Sequence, residues 1–131
     1  MKVLDTDHCV AILRGFLDLR LHIQPEEDLV VSTITVSELT YGAHKSARPQ
    51  DNLARLDAFL AALEILPFDE ASARRYGSLR ASLEKDGQAI NHLDLQIASI
   101  ALEAGASLLT HNRQHFERLV GYSEQILEDW L

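Results

Sequence analysis

The chain has 131 residues, 47% of them hydrophobic and 24% charged, a balance that excludes disorder and suits one domain with a real core. Its 20 acids against 12 bases give a formal net charge of −8, which argues against a simple electrostatic nucleic-acid binder and makes a basic protein partner plausible, although a bound divalent cation would reverse the sign of an acidic site. No apolar run approaches the ~20 residues of a membrane span, the start lacks the basic-then-apolar pattern of a signal peptide, and Cys9 is alone, so a cytoplasmic protein without disulfides is expected.

Lys2 to Leu4 reads as a buried strand that runs straight into Asp5-Thr6-Asp7. From His8 onward, Val10, Ile12, Leu13, Phe16 and Leu17 recur at helical spacing. After the polar break at Gln24 to Asp28, Leu29-Val30-Val31-Ser32 is a second short strand. Thr35 and Glu38 have the separation of a capping box, which predicts a helix with Thr35 as its N-cap and Glu38 in its first turn. Asn52 to Leu63 carries Leu53, Leu56, Phe59, Leu60 and Leu63 on one amphipathic face. Glu64 to Phe68 gives a third strand, closed by Pro67, and Asp69 caps a helix that Asp86-Gly87 ends. Asn91 to Asp94 opens a helix whose apolar run through Leu102 marks it as central and buried. Ser107 to Thr110 is a fourth strand, His111 to Leu119 a short helical piece, and Ile126 to Leu131 an edge strand carrying Trp130. Strands alternating with helices imply an α/β domain with a mainly parallel sheet of four to five short strands and right-handed crossovers.

On that frame Asp5 closes a strand, Glu38 and Asp94 open helices, and Asn112 follows a strand. Such positions share one edge of an α/β sheet, where ligands bind, and helix amino ends hold carboxylates ionised. Each residue also has a plainer role as a cap: Glu38 for Thr35, Asp94 for Asn91, Asp5, Thr6 or Asp7 for the first helix, and Asn112 for the last. Capping accounts for the tolerance of an acid at each place. It does not account for all of them gathering at one edge.

These residues also carry a family likeness. Val3-Leu4-Asp5-Thr6-Asp7, Ser32-Thr33-Ile34-Thr35-Val36-Ser37-Glu38-Leu39-Thr40-Tyr41-Gly42-Ala43, Glu64 to Asp69, Tyr76 to Arg80, Ile90 with Asp94-Leu95-Gln96-Ile97-Ala98, Leu109 to Asn112 and Glu128-Asp129-Trp130 follow in order over nearly the whole chain. In them the chain resembles the PIN-domain ribonucleases of the VapC toxin type. The resemblance implies one PIN domain over residues 1–131, of three-layer α/β/α build. It makes Asp5, Glu38 and Asp94 metal ligands and Asn112 the fourth site residue, as ligand or orienting group. Asp7 stands where Asn is more usual and, with Thr110, is a possible additional member. His115 stands where relatives commonly carry Asp or Glu, and is left out of the site. Hard oxygen ligands without a cysteine cluster suit Mg²⁺, or Mn²⁺ as a substitute. The implied activity is an endoribonuclease toxin that hydrolyses phosphodiesters of tRNA, rRNA or mRNA with a metal-activated water. It would be a homodimer and would be held in check by a cognate VapB-like antitoxin, with Leu53 to Leu63 a candidate contact face. Lys45, Arg48 and Arg113 are available for an RNA backbone and are equally explained as solvated surface.

Other readings stay open at this stage. A phosphatase of the haloacid dehalogenase type also opens on a strand followed by Asp-x-Asp and would use Asp5 as nucleophile. The short chain, Cys9 in place of the usual Thr or Val, and the lack of an ordered lysine motif count against it. His111 and His115, four apart, could face together as a zinc pair or as an acid–base couple, and an acid–base activity would survive chelation. A catalytically silent binding module of the same fold is the third reading, and the retained Asp5, Glu38 and Asp94 count against it.

Overall fold

The computed structural model describes residues 1–131. Five parallel strands form one sheet in the order β3-β2-β1-β4-β5, with β1 at Lys2–Leu4, β2 at Leu29–Ser32, β3 at Glu64–Leu66, β4 at Ser107–Leu109 and β5 at Leu127–Glu128. The chain moves from β1 outward to β2 and β3, then returns to lay β4 on the other side of β1. Strand order therefore reverses between β1 and β4, and a crevice opens beyond their carboxyl ends.

Helices cover both faces. Because successive strand residues point to opposite sides, Val3, Val30 and Leu108 enter one core with Leu79 and Leu83 of α4 (Glu70–Lys85) and with Leu95, Ile97, Ala98 and Ala101 of α5 (His92–Glu103). Phe116 and Leu119, from the short α6 (Arg113–Phe116) and the 3₁₀ turn after it, close that layer. Leu4, Val31 and Leu109 point the other way, onto Cys9 of α1 (Thr6–Leu13), Leu39 of α2 (Thr33–Lys45) and Leu56 of α3 (Pro49–Ala61). The architecture is the expected three-layer α/β/α sandwich, with α5 as its most buried helix. No helix is long and apolar enough to cross a membrane.

Several boundaries differ from the sequence reading, each for a local reason. α1 starts at Thr6 rather than at His8, with Asp5 as its N-cap, and stops at Leu13. Gly15 follows at φ 77°, a left-handed conformation that turns the chain, so Phe16 lies outside the helix and exposed. α2 begins two residues before Thr35, because Ser32 Oγ accepts the Thr35 amide at 3.1 Å and is the cap itself. α3 begins at Pro49, whose fixed φ and missing N–H suit a first helical turn. On its apolar face Leu56 is buried in the core, with Phe59, Leu60 and Leu63 half-buried against it. β4 stops before Thr110, α6 starts at Arg113 rather than His111, and β5 is confined to Leu127–Glu128, leaving Trp130 beyond the strand.

Phe116 is the largest fully buried side chain and joins α6 to the α4–α5 layer. Phe116→Ala is expected to lower stability by about 3–5 kcal/mol, read as a shift of the urea midpoint with the slope unchanged.

Candidate functional site

The crevice between β1 and β4 is lined from both strands. Asp5 follows β1 and Thr110 follows β4, and Thr110 Oγ1 donates to Asp5 Oδ2 at 2.8 Å across the switch point. The other carboxylate oxygen of Asp5 accepts the Thr6 amide at 2.8 Å, the first N–H of α1. Asp5 is buried, with 5% of its surface exposed. Asp7, one residue into α1, turns back over the same crevice, where its Oδ2 accepts the His111 amide at 2.9 Å.

Glu38 does not complete a capping box. It lies in the second turn of α2, and its Oε1 accepts Thr6 Oγ1 at 2.8 Å. Thr6 thus ties Glu38 to Asp5, by its hydroxyl on one side and its amide on the other. Asp94 is not a cap either. Asn91 caps α5 through the Leu93 and Asp94 amides, which leaves the Asp94 carboxylate free to face α6, where Oδ2 lies 3.4 Å from His115 Nδ1. Asn112 occupies the N-cap position of α6 without a side-chain cap bond. Its amide donates to Thr110 Oγ1 at 3.0 Å, and its Nδ2 sits 2.9 Å from His115 Nδ1.

The sequence reading left His115 out of the site, yet the structure sets its ring against both Asp94 and Asn112. His111 and His115 do not pair: His111 Nδ1 lies 2.9 Å from Asp129 Oδ2 instead. The residue order held no sign of this, because His111 precedes α6 rather than lying a helical turn before His115 within it. Of the cations considered for an RNA backbone, Lys45 lies over the Tyr41 ring and Arg113 beside Glu117.

The electrostatics follow from crowding. Burial, then the charge of Asp7, raises the Asp5 carboxyl to about 7; the Thr110 and Thr6 hydrogen bonds pull against the rise, and Asp94 adds to it. Asp94 is also raised, mainly by burial and further by Asp7, while His115 opposes the shift. Asp7 thus acts on both Asp5 and Asp94, and Glu38 is joined to Asp5 through Thr6. No three of the acidic, histidine and cysteine side chains close on one point as a finished metal cage. The donor chemistry nonetheless fits a hard divalent cation: all the acids offer oxygen, and positive charge among them would offset the burial and repulsion that raise the Asp5 carboxyl. Cys9 takes no part; it is buried beneath the site and burial pushes its thiol up.

The chain belongs to the PIN domain family, which it matches over residues 2–121. Within that class it is similar to the VapC ribonucleases. Ribonuclease VapC2 of Rickettsia felis is 36% identical, over 98% of this chain and 96% of the relative. A protein of Salmonella typhimurium named tRNA(fMet)-specific endonuclease VapC is 35% identical, again over 98% and 96%. Among solved structures, the complex VapBC2 of Rickettsia felis bound to a DNA fragment from its promoter holds a chain of 35% identity with a TM-score of 0.87, covering 99% of this chain and 98% of that one. DNA-bound VapBC of Salmonella typhimurium gives 33% and 0.88 over the same shares. Family membership sets aside the phosphatase reading.

The raised Asp5 carboxyl has a consequence for stability. The folded protein binds this proton more tightly than the unfolded chain, whose carboxyl keeps the ordinary value of 3.8. The stabilisation is complete below that value and is lost as pH rises through about 7. In EDTA, Asp5→Asn is expected to be more stable than the wild type at pH 8, by on the order of 3 kcal/mol, with the gain shrinking toward pH 4. Urea unfolding across that range checks it, and equal stabilities at pH 8 would contradict it.

Proposed function

We propose that the chain is a divalent-metal-dependent endoribonuclease, the toxin of a VapBC-type pair, with residues 1–131 acting as one PIN domain. The observation that carries the reading is the hydrogen-bonded convergence of Asp5, Glu38 and Asp7 on the β1/β4 switch point through Thr6, Thr110 and the His111 amide, where burial and then Asp7 raise the Asp5 carboxyl to about 7. The names of the relatives, ribonuclease and tRNA(fMet)-specific endonuclease, support RNA as the substrate and tRNA as the first one to test.

In this reading Asp5, Glu38 and Asp94 hold the cation, Mg²⁺ first and Mn²⁺ as its substitute, because hard oxygen donors favour both. Bound there, a divalent cation supplies a water of lowered pKa and neutralises charge on the phosphate. Thr6 holds Glu38 and Asp5 in register through its two hydrogen bonds. Thr110 fixes the Asp5 oxygen nearest β4 and receives the Asn112 amide, which sets Asn112 at the rim beside Asp94 as an orienting group. Asp7 adds charge that the neutral Asn112 lacks. The protein would work in the cytoplasm, as a homodimer.

The partner follows from the relatives, whose solved forms are VapBC toxin–antitoxin complexes. A VapB-like antitoxin carrying a basic side chain would neutralise the same acids and compete with the cation for them.

Purified protein is expected to cleave tRNA with Mg²⁺ or Mn²⁺ and to stop in EDTA, and Asp5→Asn is expected to reduce the rate by roughly 100-fold or more, a few kcal/mol of lost charge stabilisation. Cleavage that persists in EDTA would point to histidine acid–base chemistry at His111 or His115. Equal rates for wild type and Asp5→Asn would overturn the carboxylate mechanism.

A further inference from the structure

One buried polar side chain has no part in the ligand set described above. His8 is fully buried in α1, a helix that packs one side on the sheet. Both of its ring nitrogens are engaged. Nε2 lies 3.1 Å from the Trp130 backbone N–H, which donates to it. Nδ1 lies 2.8 Å from Asp7 Oδ1. An amide N–H can only donate, so Nε2 carries the lone pair and the ring proton sits on Nδ1, from which it is donated to Asp7. Asp129 Oδ1, at 3.5 Å from Nε2, is too distant to reverse that assignment.

The amide that selects the tautomer is itself held in place. β5 pairs with β4, and the Thr110 amide donates to Glu128 O at 2.9 Å, just before Trp130. The Trp130 ring stacks on His22 with centroids 5.2 Å apart. Asp129 is anchored by His111 and by the Leu131 amide, each at 2.9 Å. On the opposite side, Asp7 Oδ2 takes the His111 amide. Asp7 is thus held at both oxygens, once by the loop after β4 and once by His8.

We propose that His8 is a positioning residue for Asp7: the C-terminal Trp130 amide fixes its Nδ1–H tautomer, and that N–H locks the Asp7 carboxylate into the acidic crevice. The inference rests on the reading of the crevice as a divalent-cation site, but not on RNA cleavage. With Asp7 as the additional carboxylate of that site, an imidazole that orients it is the outer-shell arrangement whose loss weakens metal binding by about 10–100-fold. A histidine that only filled space would require neither the tautomer nor the bond.

Two substitutions separate those roles, because an Asn amide reproduces the Nδ1 position of the ring and a Gln amide the Nε2 position. The full-length wild type, His8→Asn and His8→Gln are titrated with Mn²⁺ by calorimetry, and the His8 tautomer of the wild type is read from long-range ¹H–¹⁵N correlations of the ring. The expected results are an Nδ1-protonated ring, a loss of Mn²⁺ affinity of roughly tenfold or more in His8→Gln, and near-retention in His8→Asn, within about threefold. An Nε2-protonated ring overturns the proposal even if neither variant folds. Equal losses in both folded variants, or none in either, also overturn it. A wild type that binds no Mn²⁺ removes the metal reading, and the tautomer then decides alone whether His8 is set by the C-terminal amide to hold Asp7.

Discussion

The buried carboxyl of Asp5 is the constraint around which the rest of this molecule is arranged. It stands where the strand order reverses, with one oxygen on the first amide of α1 and the other on the hydroxyl after β4. Burying a carboxylate beside Asp7 and Asp94 is costly, and since no basic side chain offsets the cost the Asp5 carboxyl is raised to about 7. A buried Lys or Arg would satisfy Asp5 permanently. A proton, or a cation from solution, can leave.

The elements around Asp5 make sense as supports for that arrangement. Thr6 spans from Asp5 to Glu38 and so couples α1 to α2. Thr110 takes the Asn112 amide while giving its own proton to Asp5, which couples β4 to the start of α6. The tail after β5 reaches the same place from beneath, through Trp130, His8 and Asp7. Segments from both ends of the chain therefore converge on one crevice. Lys2, beside Glu27 and Glu128, binds the first strand to the last.

Much of this was legible in the residues, for identifiable reasons. Short apolar runs flanked by breaks marked the three central strands β1, β2 and β4, because a parallel sheet buried on both faces leaves no room for polar alternation. Asp69 and Asn91 announced α4 and α5 as caps, and both are caps. The reading of Thr35 and Glu38 as a capping box failed because Ser32, at the same spacing before Thr35, is the stronger claimant and shifts the helix start. Once Glu38 moves to the second turn it has no cap to complete and reaches Thr6 instead. Local spacing could not reveal that contact, since the partners are separated by 32 residues and by a whole crossover. In the sequence His115 gives no sign of its place, because it is not the acid that relatives commonly carry there, whereas α6 brings its ring to Asp94. His8 left no signal in the pattern: a histidine amid apolar neighbours reads as a surface residue until its burial is known.

The metal reading stands on the state of Asp5, and that carboxyl can be watched directly. Its side-chain ¹³C resonance, followed against pH, is expected to titrate near 7 in EDTA and to fall toward the ordinary carboxylate range when Mg²⁺ or Mn²⁺ is added to saturation, using a diamagnetic substitute where Mn²⁺ broadens the signal. A midpoint that no divalent cation moves would contradict the assignment of Asp5 as a metal ligand.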